Sequence, residues 1–340
     1  MPSPPLSPSP SPSTSKRVVY AALGGNLLVA LTKAGAAAFT GSSAMVSEAV
    51  HSFVDTGNQV LLLYGMRKAA QRADPEHPIG YGRELYFWSF IVALMVFALG
   101  AGVSIYEGIS HILQPEPITH PFVNYVVLGL AFLFEGASWF ISLKQFNATK
   151  GTLGYYEAFR NSKDPPTFMV LFEDSAALIG ILIAAAGTFA ASSLNEPIID
   201  GVASILIGIL LACTAGLLAR ESKSLLIGER ADSTLSDSIM RIAEDSRTVS
   251  RANGLLTVQL APDQILVALS VEFADDFRTQ QIEEAVVAIE RQIRAQHPEV
   301  VSLFIKPQTA ATFKANVRKR YGDLLPDSGA TGSDLEVHLP

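Results

Sequence analysis

The chain has 340 residues, 49% of them hydrophobic and 17% charged, with a formal net charge of −7 and a single cysteine, Cys213. Soluble domains carry about 25% charged residues, so this composition, with a mean hydropathy of +0.30, points to a chain embedded in large part in a membrane. The acidic balance excludes nucleic acid as a partner. The lone cysteine excludes an internal disulfide or a thiolate metal cluster within one chain, which leaves His, Asp and Glu to build any metal site.

Residues 1–17 are Pro/Ser-rich without an apolar core, and read as a disordered tail rather than a cleavable signal. Six apolar spans then follow between residues 18 and 219: Val18 to Phe39, Ala44 to Met66, Leu85 to Leu113, Phe122 to Leu143, Thr167 to Ala191 and Pro197 to Ala219. At about 1.5 Å per residue each can cross a hydrocarbon core of about 30 Å. Arg67, Lys68, Arg72 and Arg83 lie between spans two and three, and Lys144, Lys150, Arg160 and Lys163 between four and five; the other three connections contain no Lys or Arg. With Lys16 and Arg17 ahead of span one, this asymmetry places both termini on the cytoplasmic side.

Residues 220–309 have the composition of a small soluble domain. Ser233 to Arg247 is expected to be helical, Gly254 to Leu260 and Ile265 to Phe273 alternate as two strands of a hairpin, Thr279 to Gln296 is an amphipathic helix, and Val300 to Lys306 a last strand. The order α-β-β-α-β suits an open α/β sandwich, and a domain this small gains from pairing with a copy of itself. Residues 310–340 read as a flexible tail. The expected fold is thus an α-helical membrane protein with six transmembrane helices and a small α/β C-terminal domain on the cytoplasmic side.

The informative stretch is Ser47 to Gly65, SEAVHSFVDTGNQVLLLYG, where Glu48, His51, Asp55 and Asn58 recur at steps of three and four and so share a helical face. A charged group at the centre of a membrane helix costs about 2.5–3.5 kcal/mol on insertion scales, so a face with several needs a partner, and a bound cation is the simplest. His51 and Asp55 offer two ligands one turn apart; a second helix must complete the shell. Span five supplies Asp174, preceded by Glu173. With span two descending and span five ascending, the three groups fall at similar depth, where transporter sites commonly lie.

The stretches NLLVALTKAGAAAFTGSSAMVSEAVHSFVDTGNQ, HPIGYGRELYFWSF, YEGI, FEDSAALIG and SLLIGERAD together resemble the cation diffusion facilitator family. The similarity runs from Arg17 to Pro307, and the FEDSAA variant resembles the subgroup related to animal mitochondrial zinc transporters. The resemblance implies six spans, a metallochaperone-like C-terminal domain through which two copies pair, and a transport site that exchanges a divalent metal for protons, with His51, Asp55 and Asp174 matching three of its four ligands. The fourth position, His or Asp one turn before the span-five Asp in the commonest zinc pattern, is Val170 here, which cannot bind metal. Glu173 or Glu48 would have to swing in, or a water fill the shell; Glu173 points about 100° away from Asp174 around the helix. In ADPEHPIGYGR, Asp74 and His77 match two ligands of an accessory site of some bacterial relatives, with Tyr81 at the third. The alternative, preferred, is that Asp74 ends a helix while Gly80 and Gly82 shape a turn.

Other polar residues have structural readings. Lys33 and Glu107 are expected near the outer span ends, where Lys can snorkel and Glu be hydrated; Asp200 is expected to start span six. Glu135, deeper in span four, is equally a partner of Lys33 or Asn26 or a proton carrier. His297 stands alone before Pro298.

The expected function is divalent cation efflux, zinc first, in exchange for protons, with the metal as transported substrate and no cofactor. Manganese or ferrous iron is the alternative cargo, since carboxylate-rich shells suit harder ions; a non-transporting metal sensor or scaffold is the second alternative. No His-Glu-x-x-His helix or Gly-x-Ser-x-Gly elbow suggests an enzyme. The partners are the metal, protons, the lipid bilayer and a second copy. No address in the chain separates a bacterial inner membrane, expected first, from an organelle membrane.

Overall fold

The computed structural model describes residues 12–150 and 154–322; of the tails expected over residues 1–17 and 310–340, residues 1–11 and 323–340 lie outside these, whereas residues 12–17 are the first turns of a helix rather than tail. The elements run α1 (Pro12–Thr40), α2 (Ser43–Ala69), α3 (Glu84–Met95), a π-helical turn (Val96–Ala101), α4 (Gly102–Leu113), α5 (Pro121–Thr149), α6 (Tyr155–Asn161), α7 (Pro165–Leu194), α8 (Ile198–Ile227), α9 (Ser233–Glu244), β1 (Val249–Ala261), β2 (Gln264–Phe273), α10 (Thr279–Gln296), β3 (Val300–Pro307) and α11 (Ala310–Tyr321). The described residues form two units: those within 1–67 and 87–222, and those within 68–86 and 223–340.

In the first unit, four helices of the described residues are long and apolar enough to cross a membrane: Glu84–Leu113, Pro121–Lys144, Pro165–Leu194 and Ile198–Ile227. α2 is 27 residues long, but its polar stripe of Glu48, His51, Asp55, Asn58 and Gln59 dilutes its hydropathy. The third helical segment continues through its π turn, where the Gly102 N–H reaches back to the carbonyl of Phe97; such a turn inserts one residue into an otherwise α-helical ladder. The core is built on small residues, among them Ala176, Ala184, Ala203 and Ala215, which let helix backbones approach. α4 and α8 show the limit: a Cβ on Gly108 would lie 2.6 Å from the Gly201 carbonyl oxygen, and one on Gly201 would lie 2.9 Å from the Gly108 carbonyl oxygen. Of these four, α5 is the least covered, with 11% of its apolar window buried. The short α6 was not expected; Phe159 holds it, edge-on to Phe168 at 5.1 Å and tilted against Phe172 at 4.6 Å.

Asp200 opens α8, yet its carboxylate serves a different helix. It accepts hydrogen bonds from the Ser42 hydroxyl at 2.9 and 3.1 Å and from the Ala44 N–H at 3.1 Å, with its side chain fully buried. A carboxylate at a helix N-terminus satisfies otherwise unpaired amides and complements the helix dipole. The α1–α2 and α7–α8 turns meet at the same end of the bundle, a juxtaposition that sequence spacing does not reveal, so the expected start group of one helix becomes the cap of another.

In the second unit, β1 and β2 pair antiparallel, β2 and β3 parallel, with β2 central. Ile265, Val267, Leu269 and Val271 alternate inward against Ile239 and Ile242 of α9 and Ile289 and Ile293 of α10, the period of two that a half-buried strand requires. On the opposite face Leu256 and Phe304, both registered with Ala268, are 39% and 62% exposed. The expected tail after Thr309 begins instead as α11: the Thr309 hydroxyl accepts from the Thr312 N–H, Arg318, Lys319 and Arg320 fill the last turn, and the Phe313 ring lies where a Cβ on Gly254 would fall, 2.6 Å away.

The 70–83 loop packs within this unit. A Cβ on Gly82 would lie 2.7 Å from Gln264 Oε1 and 3.0 Å from the Leu260 carbonyl oxygen, so the turn between β1 and β2 requires a glycine there.

Candidate metal site

The first unit holds a cavity of about 10 Å³ lined by Asn26 of α1, Ser52, Asp55 and Gln59 of α2, Glu135 of α5, and Val170, Glu173 and Asp174 of α7. A space of that size is at the lower limit for one water, and four carboxylates face it. The two on α7 are held by hydrogen bonds from neighbouring helices. Asp174 accepts from Ser138 Oγ at 2.8 Å and Ser142 Oγ at 3.4 Å, two α5 residues one turn apart. Glu173 accepts from Asn58 Nδ2 at 2.9 Å. The 100° between neighbouring residues turns Glu173 towards α2 and Asp174 towards α5, as expected, and both nevertheless line the cavity.

His51 is buried beside this group but is not among its walls. Its Nδ1 lies 3.4 Å from Asp55 Oδ1, and among the described residues neither ring nitrogen makes a hydrogen bond. A buried imidazole without hydrogen bonds is costly, and its lone pair suits a divalent metal. Glu48 turns away from Asp55: its Oε2 pairs with the Lys33 ammonium at 3.0 Å, and its Oε1 rests against α7 at Gly180. Lys33 is fully buried rather than snorkelling, because α2 and α5 supply it with partners at depth: Ser52 Oγ at 2.8 Å and Glu135 Oε1 at 3.9 Å in addition to Glu48.

The structure thus brings Asp55, Glu135, Glu173 and Asp174 to one cavity, sets His51 next to Asp55, and holds Glu48 on Lys33. Among the described residues no three His, Cys, Asp or Glu side chains stand close enough together to hold a metal ion, so a shell around one ion requires these side chains to move from their present rotamers. Val170, the apolar residue at the expected fourth-ligand position, is a cavity wall. Sequence reasoning missed Ser138 and Ser142; their i, i+4 spacing in an apolar span, three and seven residues after Glu135, is the signal that marks that face.

Asp74 and His77 belong to the exposed loop of the other unit. Asp74 accepts from the N–H groups of Glu76 (3.0 Å) and His77 (2.7 Å) and from the Tyr81 hydroxyl (2.7 Å), and the His77 ring lies on that of Tyr81 at 4.3 Å. Gly80, at φ +86°, closes the turn. The carboxylate is committed to shaping the loop. The Tyr81 hydroxyl, then the His77 amide, hold Asp74 below the usual carboxylate range, while Asp74 in turn pushes Tyr81 up to about 12. The folded carboxyl binds its proton less readily than the unfolded one, so its contribution to loop order is present above the ordinary Asp range and is lost as pH falls through the lowered value. Tyrosinate absorbance is expected to show one group ionising near pH 12 that returns to the ordinary value of about 10 in Asp74→Ala.

Residues 19–227 match the family model described as the cation efflux transmembrane domain. The chain is 31% identical over 237 residues to the human proton-coupled zinc antiporter SLC30A9, mitochondrial, covering 69% of this chain and 42% of that protein. It is 30% identical over 261 residues to metal tolerance protein C4 of Arabidopsis thaliana (76% and 57%) and 28% identical over 148 residues to the cation-efflux pump FieF of Escherichia coli (42% and 49%). The matched stretches amount to about half the length of these relatives. With the family model covering more than half of its residues, this chain belongs to the cation efflux family.

Proposed function

We propose that the protein is a transporter rather than an enzyme, and moves a divalent cation, zinc first, across a membrane in exchange for protons, with His51, Asp55 and Asp174 as its metal ligands and Glu173 as the group that takes the place Val170 leaves. The observation that carries this is the convergence of carboxylates from α2, α5 and α7 on one buried cavity beside an imidazole with no hydrogen bond among the described residues. Carboxylates packed around so small a space repel one another, and either a doubly charged ion or protons relieve that repulsion. Metal and protons compete for the same lone pairs, which makes their exchange the natural cycle. The names of the human and plant relatives, a zinc antiporter and a metal tolerance protein, agree with this reading.

A second cargo is favoured by one feature: among the described residues Asp55, Glu135, Glu173 and Asp174 line the cavity and no histidine does. Oxygen-rich sets suit manganese or ferrous iron better than zinc. The decisive assay is initial uptake of zinc, manganese and ferrous iron into sealed proteoliposomes with an internal pH indicator. Zinc uptake with matched proton movement is expected; binding without flux would overturn transport and leave a sensor or scaffold.

The same reading takes α1 and α2 as two further membrane spans, giving six with both termini on one side, because the Lys/Arg-rich connections alternate with connections that lack them. The membrane is that of an organelle, for which the mitochondrial name of the human relative is the support. The open face of the C-terminal sheet, with Phe304 62% exposed, suits pairing of two copies.

A further inference from the structure

We propose that Lys33 is a specificity-determining residue of the transport site: by holding the Glu48 carboxylate it keeps one more carboxylate from joining Asp55, Glu173 and Asp174 in the metal shell. This rests on the reading of the α2–α5–α7 cavity as the metal site. Glu48 stands one turn before His51 on the same face of α2, close enough to join a shell by a change of rotamer. Its chemistry suits a hard divalent ion as well as that of Asp55 does. What removes it is the ammonium of Lys33, at 3.0 Å, with both side chains fully buried. The Ser52 hydroxyl holds Lys33 from the same helix at 2.8 Å. Glu48 Oε1 makes no hydrogen bond among the described residues, so the pair with Lys33 is what fixes the carboxylate. Glu135 Oε1, at 3.9 Å from the ammonium, is held in the same way but less tightly, and remains a cavity wall. A buried pair with one member removed leaves an uncompensated charge; freed from Lys33, the nearest cation available to Glu48 is the cargo.

Three variants test this, each reconstituted as the full chain, with initial rates for zinc and manganese measured separately. Lys33→Met is expected to raise the manganese-to-zinc rate ratio about tenfold, the change that about 1.4 kcal/mol of differential binding produces. Lys33→Arg, which keeps a cation for Glu48, is expected to stay within about twofold of wild type, and Lys33→Met/Glu48→Gln to return there, because the freed carboxylate is gone. A purely structural role would lower both rates in Lys33→Met and leave their ratio alone. A folded Lys33→Met with an unchanged ratio overturns the inference, and so does an equal rise in the double variant. If Lys33→Met does not fold, Glu48→Gln decides: zinc transport kept supports a withheld carboxylate, whereas zinc transport lost as in Asp55→Asn makes Glu48 a ligand already and overturns it. Wild-type vesicles that move no metal would refute the reading of the site itself, a result distinct from either.

Discussion

Asp55→Asn is expected to lower proton-coupled zinc flux by about two orders of magnitude or more, while the protein still elutes as a folded species in detergent. Asp55 is the cavity carboxylate that also faces His51, at 3.4 Å, so it joins the imidazole to the acidic walls. The amide keeps the volume and one oxygen but loses the charge. Leaving a buried ionic set without one member costs about 3–5 kcal/mol, and each 1.4 kcal/mol is about tenfold in affinity. The loss falls on the metal-bound state, because in the empty cavity an uncharged amide reduces repulsion among Glu135, Glu173 and Asp174 rather than adding to it. Equilibrium zinc binding by competition with a fluorescent chelator separates weak binding from slow movement. An Asp55→Asn protein that binds and moves zinc like wild type would mean that the ion travels elsewhere.

The second large effect concerns Asp200, which lies outside the cavity. Asp200→Ala leaves the Ser42 hydroxyl and the Ala44 N–H without their acceptor at a fully buried position. Each orphaned group costs about 1–3 kcal/mol, and the dipole at the start of α2 loses its complementary charge. Intrinsic tryptophan fluorescence during denaturation is expected to show a clearly earlier transition, with Asp200→Asn between Ala and wild type because its carbonyl can still accept from one donor. Flux should fall with it, since Ser43 begins the helix that carries His51 and Asp55. An unchanged transition in Asp200→Ala would show that water or another donor set satisfies this end of α2.

Much of the candidate site was legible beforehand because helical periodicity is a local property. Steps of three and four place Glu48, His51, Asp55 and Asn58 on one face whatever the rest of the chain does, and the Val170 departure was visible as a single letter. What remained hidden were relations between helices far apart in sequence. Lys33 lies at depth on the Glu48 carboxylate rather than at the outer end of its span, and Asp200, while it opens its own helix as expected, also accepts from an amide on α2. Asp74 and His77 matched a metal pair in spacing, but hydrogen bonds to Tyr81 and two backbone amides had already claimed the carboxylate. In the second unit the alternation of Ile265, Val267, Leu269 and Val271 marked the inward face of β2, whereas α11 escaped notice because its apolar content is low and its start depends on one threonine cap.

The sparse cover on α5 has a consequence of its own. This helix carries Glu135 and the two serines that hold Asp174, yet most of its apolar window is left uncovered by protein. Its inner side is anchored in the core through Leu128 and Ala131, while its outer side is left to lipid, so its tilt is set by that packing together with the thickness of the hydrocarbon around it. Acyl-chain length therefore becomes a lever on the distance between Ser138 and Asp174, and through it on how tightly the cargo is gripped.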